Sequence, residues 1–185
     1  YLPAFYVYIM ALQTVLLVAA YFGEEEIQWG SAGEKTTGLI VSILLIQIVG
    51  ILGAFLTARA SERFGNIRVL IVVNLIWAAL CYYAYHIQTP IQFYSVAGLV
   101  GMVMGGLQAL SRSTYSKLIP KTEDTASFFS FYDVTEKIGI IVGMSLFGVI
   151  DQITGSMRNA ILFFMLFFIV GALMLLRVPR KKLRG

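Results

Sequence analysis

Hydrophobic and polar positions segregate along this chain into long blocks rather than a short period. Apolar runs of about 20 residues alternate with brief charged stretches, and about 20 is the length that crosses a ~30 Å hydrocarbon core. Such runs must be helical, because backbone polar groups inside lipid have only one another to bond. The pattern predicts six spans: Pro3–Phe22, Thr36–Ala58, Val69–His86, Gln92–Ser113, Ala126–Ile150 and Asn159–Leu176. The expected fold class is therefore an all-α membrane protein.

Composition sharpens this picture. Only 13% of the 185 residues are charged and 58% are hydrophobic, where a soluble domain carries about 25% charged residues. The net charge of +4 does not point to nucleic acid, because the bases stand between apolar blocks and so report orientation. Arg59, Arg63 and Arg68 follow the second span, Arg112, Lys117 and Lys121 edge the end of the fourth, and Arg177, Arg180, Lys181, Lys182 and Arg184 form the tail. The opposite side holds Glu24, Glu25, Glu26, Glu34 and Asp151, with Lys35 and Arg158 as its bases. The positive-inside rule puts the basic side in the cytoplasm. It predicts a multi-pass protein of the cell (inner) membrane with both ends of this chain cytoplasmic. Cys81 has no second cysteine to pair with. The chain starts at Tyr1 rather than Met, and the expectation is a piece of something longer.

A shift of 90 residues overlays the first three spans on the last three. It places Gly53 on Gly143, Gly65 on Gly155 and Arg68 on Arg158. A unit of three spans is odd, so the second copy is inverted relative to the first. Two inverted three-helix units are a building block of secondary transporters.

Charge inside the fifth span is the strongest chemical signal. Asp133, Glu136 and Lys137 lie well within an apolar helix, where an isolated charge costs from ~2.5 to over ~10 kcal/mol and so faces a cavity or a partner. Asp133 and Lys137 share a face at i, i+4 and can pair. Gln108 and Arg112 share a face of the fourth span, with Ser111 beside them. Arg112 either snorkels to the interface or pairs with Asp133 or Glu136. Tyr6, Tyr8 and Gln13 in the first span and Gln47 in the second are further candidates to face a path, whereas Asn74 and Trp77 read as packing residues. Phe128, Phe129, Phe131 and Tyr132 gather where the fifth span enters and read mostly as an interfacial belt. Gly101 with Gly105, and Gly139 with Gly143, suit close helix packing.

Particular strings carry a resemblance. Gly105-Gly106-Leu107-Gln108-Ala109-Leu110-Ser111-Arg112-Ser113, then Leu118-Ile119-Pro120, then Phe129-Ser130-Phe131-Tyr132-Asp133-Val134 with Lys137 following, resemble the C-terminal six-helix half of a major facilitator superfamily transporter. Within that superfamily the chain looks most like the autophagy-type vacuolar amino-acid effluxers and their bacterial relatives, along essentially its whole length. The resemblance implies one lobe of a twelve-helix carrier, built as two inverted repeats. That carrier moves a small solute, such as an amino acid, by alternating access. It implies that the first, second, fourth and fifth spans line the path, with Asp133, Glu136, Lys137, Gln108, Arg112 and Tyr132 as candidates. It also implies a gating loop at Glu62, Arg63, Gly65 and Arg68. Here Ala58 stands where that loop's leading Gly belongs, and Asn66 replaces a base. Glu62 and Arg63 are expected in a tight turn, with Gly65 supplying a positive φ.

The partners expected are the absent N-terminal six-helix lobe or a second copy of this one, the lipid bilayer and a small-molecule substrate. No nucleic acid, cofactor or metal is expected. An intramembrane protease would need an activated nucleophile with a histidine in reach. His86, the single histidine, lies at the far end of the third span, and no Gly-x-Ser-x-Gly or His-Glu-x-x-His is present. A six-helix channel or scaffold assembling as an oligomer is the alternative, but it has no need of charge buried in the fifth span.

Overall fold

The computed structural model describes residues 1–120 and 124–178. Lys121 and the tail bases Arg180, Lys181, Lys182 and Arg184 lie outside the described residues. The described residues form six helices: α1 (Leu2–Glu26), α2 (Ala32–Phe64), α3 (Asn66–His86), α4 (Pro90–Leu118), α5 (Thr125–Thr154) and α6 (Met157–Leu176). All six are long and apolar enough to cross a membrane, and no strand occurs among the described residues. The chain is a multi-pass membrane protein.

Local chemistry sets the helix ends. Ser31 caps α2 by accepting from the Glu34 amide, and Thr89 opens α4 in a reciprocal capping box with Gln92. Asp124 caps α5 through the Ser127 amide. At the other ends, Gly65 and Gly155 close α2 and α5 with φ of 89° and 64°. Each donates its amide to the residue four before it, Ser61 at 2.8 Å and Asp151 at 2.7 Å. These two glycines, like Ser61 and Asp151, are 90 residues apart, so the repeat read from spacing recurs in the structure as a positive φ and the same closing hydrogen bond. One expectation changes here. Glu62 and Arg63 do not lie in a turn: α2 stays helical through Phe64, and Gly65 alone separates it from α3.

The packing follows the same symmetry. α2 packs along α4 as α5 packs along α1, and α1 meets α6 as α4 meets α3. Exchanging the three-helix units maps each of these contacts onto another, and α3 against α6 maps onto itself. Gly53 brings α2 against the Met102 backbone of α4, and Gly143 brings α5 against Met10 and Thr14 of α1. Small residues replace side-chain bulk with close backbone approach, which drives association where lipid is as apolar as the helix.

The core lies between α1, α3 and α6. Trp77 stacks on Phe168 with ring centroids 5.5 Å apart. Asn74 is buried and donates to the Leu70 carbonyl at 2.8 Å, so both α3 residues are packing residues. α2 and α5 are the least buried helices and leave Ile48, Ile51, Phe55, Val134 and Ile141 exposed.

Candidate functional site

Polar residues of α4 and α5 converge, against α1, on one open cavity of about 320 Å³. Gln108, Arg112, Tyr132 and Glu136 line it with Ile9 and Ala109. α5 positions the carboxylates: Asp133 lies eight residues and Glu136 eleven past the helix start, or roughly 12 and 16 Å along an axis rising ~1.5 Å per residue. The cluster therefore begins near the basic end and reaches towards the middle of the helix.

Both carboxylates of the cluster find a partner on a neighbouring helix. Arg112 Nη2 donates to Asp133 Oδ1 at 2.8 Å, and its guanidinium lies over the Tyr132 ring, 5.5 Å from the centroid. The guanidinium is thus held by a carboxylate and by a π face, both from α5. Gln13 of α1 donates its side-chain amide to Glu136 Oε1. These bonds correct the expected pairing of Asp133 with Lys137. The i, i+4 spacing allows that pair, but the planar guanidinium of Arg112 reaches the carboxylate first across the helix contact. Lys137 is exposed on α5 and forms no ion pair among the described residues.

Tyr132 is not a belt residue. It is 2% exposed and stacks on Phe5 at 4.3 Å and beside Tyr115 at 5.0 Å. Tyr115 in turn donates to the Phe128 carbonyl at 2.8 Å, fixing the first turn of α5 against the end of α4. Tyr8 does not face the cavity either. It is fully buried and bonds the Ser111 hydroxyl at 2.8 Å, while Tyr1 donates to the Ser111 carbonyl at 2.8 Å. Gln47 is exposed on α2, away from this cluster.

At the basic end, Glu62, Arg63, Gly65 and Arg68 line a separate cleft with Asn66 and Lys117. Glu62, Arg63 and Arg68 form no ion pair among the described residues. Lys117 Nζ donates to Asn66 Oδ1 at 3.4 Å, and Asn66 Nδ2 donates to Thr114 Oγ1 at 3.1 Å.

Arg158 is a structural centre that sequence reading missed, having counted it only as an external base. Its Nε meets Glu26 Oε2 at 2.7 Å, and its other nitrogens donate to the carbonyls of Glu26, Tyr85 and Ile87. One side chain on α6 thus ties together the ends of α1 and α3. The signal was present in its place, an arginine at the start of an apolar helix. Its four acceptors lie at the ends of two other helices, which no local pattern reveals.

The comparisons with known proteins agree with this architecture. Residues 1–184 match the family described as vacuole effluxer Atg22 like. The chain is 30% identical over 181 residues to an uncharacterized MFS-type transporter of Bacillus subtilis, covering 98% of this chain and 41% of that protein. It is 28% identical over 190 residues to autophagy-related protein 22 of Vanderwaltozyma polyspora, covering 91% of this chain and 32% of the relative. With the Yarrowia lipolytica protein of the same name it shares 31% over 158 residues, 80% of this chain and 26% of the relative. The chain thus spans well under half the length of these curated relatives. No solved structure matches it. The family is described as one of effluxers and the Bacillus relative as a transporter, which indicates a transporter rather than an enzyme. Six apolar helices in two inverted units, a charged cluster on one flank and a family match along nearly the whole chain agree: it belongs to the Atg22-like effluxers of the major facilitator superfamily, as one six-helix lobe.

Proposed function

We propose that this lobe is half of a secondary carrier that moves a small solute across the cell membrane by alternating access. The solute would be held against the face formed by Gln108, Arg112, Tyr132 and Glu136. The observation that carries this reading is the polar cavity itself: about 320 Å³ open between apolar helices, with a guanidinium and a carboxylate on its walls. Such groups are costly in lipid and are retained where they meet substrate or ions. A cation beside a carboxylate complements a zwitterion, which supports amino acids as the solute class. Arg112 would take the carboxylate in bidentate fashion, and Glu136 would meet the ammonium group.

The exposed apolar flanks of α2 and α5 need covering. In this reading a second six-helix lobe covers them and closes the cavity from the other side, as in carriers whose site lies between two repeats near the midplane. The chain's short span of its relatives supports the same reading. The basic end, with Arg59, Arg63, Arg68 and Lys117, lies in the cytoplasm by the positive-inside rule, so both ends of the chain do.

The test is transport of radiolabelled amino acids by the intact protein in proteoliposomes, comparing wild type with Glu136→Gln, Asp133→Ala and Lys137→Ala. Loss of rate of tenfold or more in Glu136→Gln, with the protein still folded, supports the site. Wild-type rates in all three variants sink it. A thermal-shift screen of solutes identifies the ligand, since binding raises the melting temperature by mass action.

A further inference from the structure

Two adjoining cavities at the basic end of α2 and α3 are not used by the transport reading. The first is the cleft of about 300 Å³ whose walls carry Arg63, Asn66, Arg68 and Lys117. Among the described residues Glu62 is the only acid on its walls, against three bases, an excess of two positive charges. Lys117 is held inward by its bond to Asn66 at 3.4 Å.

The second cavity is contiguous with the first through Phe64 and Arg68. Ala60 and Phe64 of α2 and Val69 and Val72 of α3 complete it, and its walls are apolar. It is open to the outside of the bundle at Val72, and Leu75 and Ile76, further along α3, are exposed apolar residues as well. A cationic cleft at the level where a membrane-spanning helix ends, opening into an apolar groove that descends along that helix, has the shape and charge of an amphiphile's binding site.

We propose that this end of α2 and α3 binds an anionic phospholipid, its phosphate between Arg63, Arg68 and Lys117 and one acyl chain along Phe64 and Val72. Charge complementarity selects the occupant. Basic pockets between membrane helices hold acidic headgroups, and the apolar groove gives a free phosphate or a soluble anion nothing to fill. Arg63 lies over the Phe64 ring at 5.5 Å, so the aromatic side chain both floors the headgroup site and opens the acyl groove. The inference is independent of the transport reading, because its readout is lipid binding.

The test is native mass spectrometry of the intact protein titrated with phosphatidylglycerol or phosphatidylcholine of the same acyl chains. Phosphatidylglycerol should bind at least tenfold tighter, and the preference should fall as salt rises. Each base removed should weaken it about fivefold, so that Arg63→Gln with Arg68→Gln costs about 25-fold. Arg177→Gln, outside the cleft, should cost nothing. Equal affinity for the two lipids, unchanged affinity in the double variant, the same loss in Arg177→Gln, or displacement by inorganic phosphate alone would each overturn the proposal. The salt dependence of the wild-type protein keeps it falsifiable even where a variant fails to fold.

Discussion

Arg112 of α4 and Asp133 of α5 meet at 2.8 Å with more than half of each side chain exposed. The bond ties α4 to α5 within the second three-helix unit, beside the polar cavity that Arg112 lines. An ion pair this accessible contributes at most ~1 kcal/mol to stability, because water and salt screen it. The prediction is a separation of effects. Arg112→Gln and Asp133→Asn should leave the melting temperature of the intact protein within about 2–4 °C of wild type. Each should lower transport at least tenfold. A drop in melting temperature as large as that of a core variant would mean the pair is structural instead.

Gly65 and Gly155 occupy equivalent places in the two repeats but tolerate different replacements. Gly155, with φ 64° and ψ 22°, is in the left-handed helical region, which asparagine visits readily. Gly65, with φ 89° and ψ 145°, lies near a region essentially reserved for glycine. Gly155→Asn should be nearly neutral, while Gly65→Asn should cost about 1–3 kcal/mol. Thermal unfolding in detergent reads both. Equal losses would contradict the assigned backbone conformations.

Gly53 tests steric closeness rather than conformation. A methyl group there would overlap the backbone of Met102, whereas nothing lies within 4 Å of one added at Gly148. Gly53→Ala must push α2 away from α4 at a cost of about 1–3 kcal/mol. Gly148→Ala should be neutral or slightly stabilising, as alanine is the better helix former. A neutral Gly53→Ala would show that the two helices pack more loosely than this.

Arg158 should be the least replaceable base. Arg158→Met leaves Glu26 and three carbonyl acceptors without their donor and should cost about 2–4 kcal/mol. Arg158→Lys should recover little, because one ammonium cannot reproduce the fork that reaches all of them. Glu26→Gln should cost less than either, since the backbone contacts survive. Proteolytic nicking at the ends of α1 and α3, followed alongside the melting curve, locates the loosening.

The sequence by itself determined the six helices, because a span of lipid demands about 20 apolar residues whatever surrounds it. It also determined the inverted repeat and its paired glycines, because they recur at one offset along the chain. The convergence of Gln108, Arg112, Tyr132 and Glu136 was partly legible. Helical periodicity told which residues share a face, and the cost of charge in lipid told that the face needs a partner.

Only the tertiary structure decided the partners. It gave Asp133 to Arg112 rather than Lys137, Glu136 to Gln13, and Arg158 to four acceptors on two other helices. It also moved Tyr8 from a path into the core, and Tyr132 from a belt to a buried place on the cavity wall. The reason is the same in each case. Within a helix, spacing fixes neighbours to a turn, but contact between helices depends on rotation and close approach, and the glycines at Gly53 and Gly143 set these through atoms they lack.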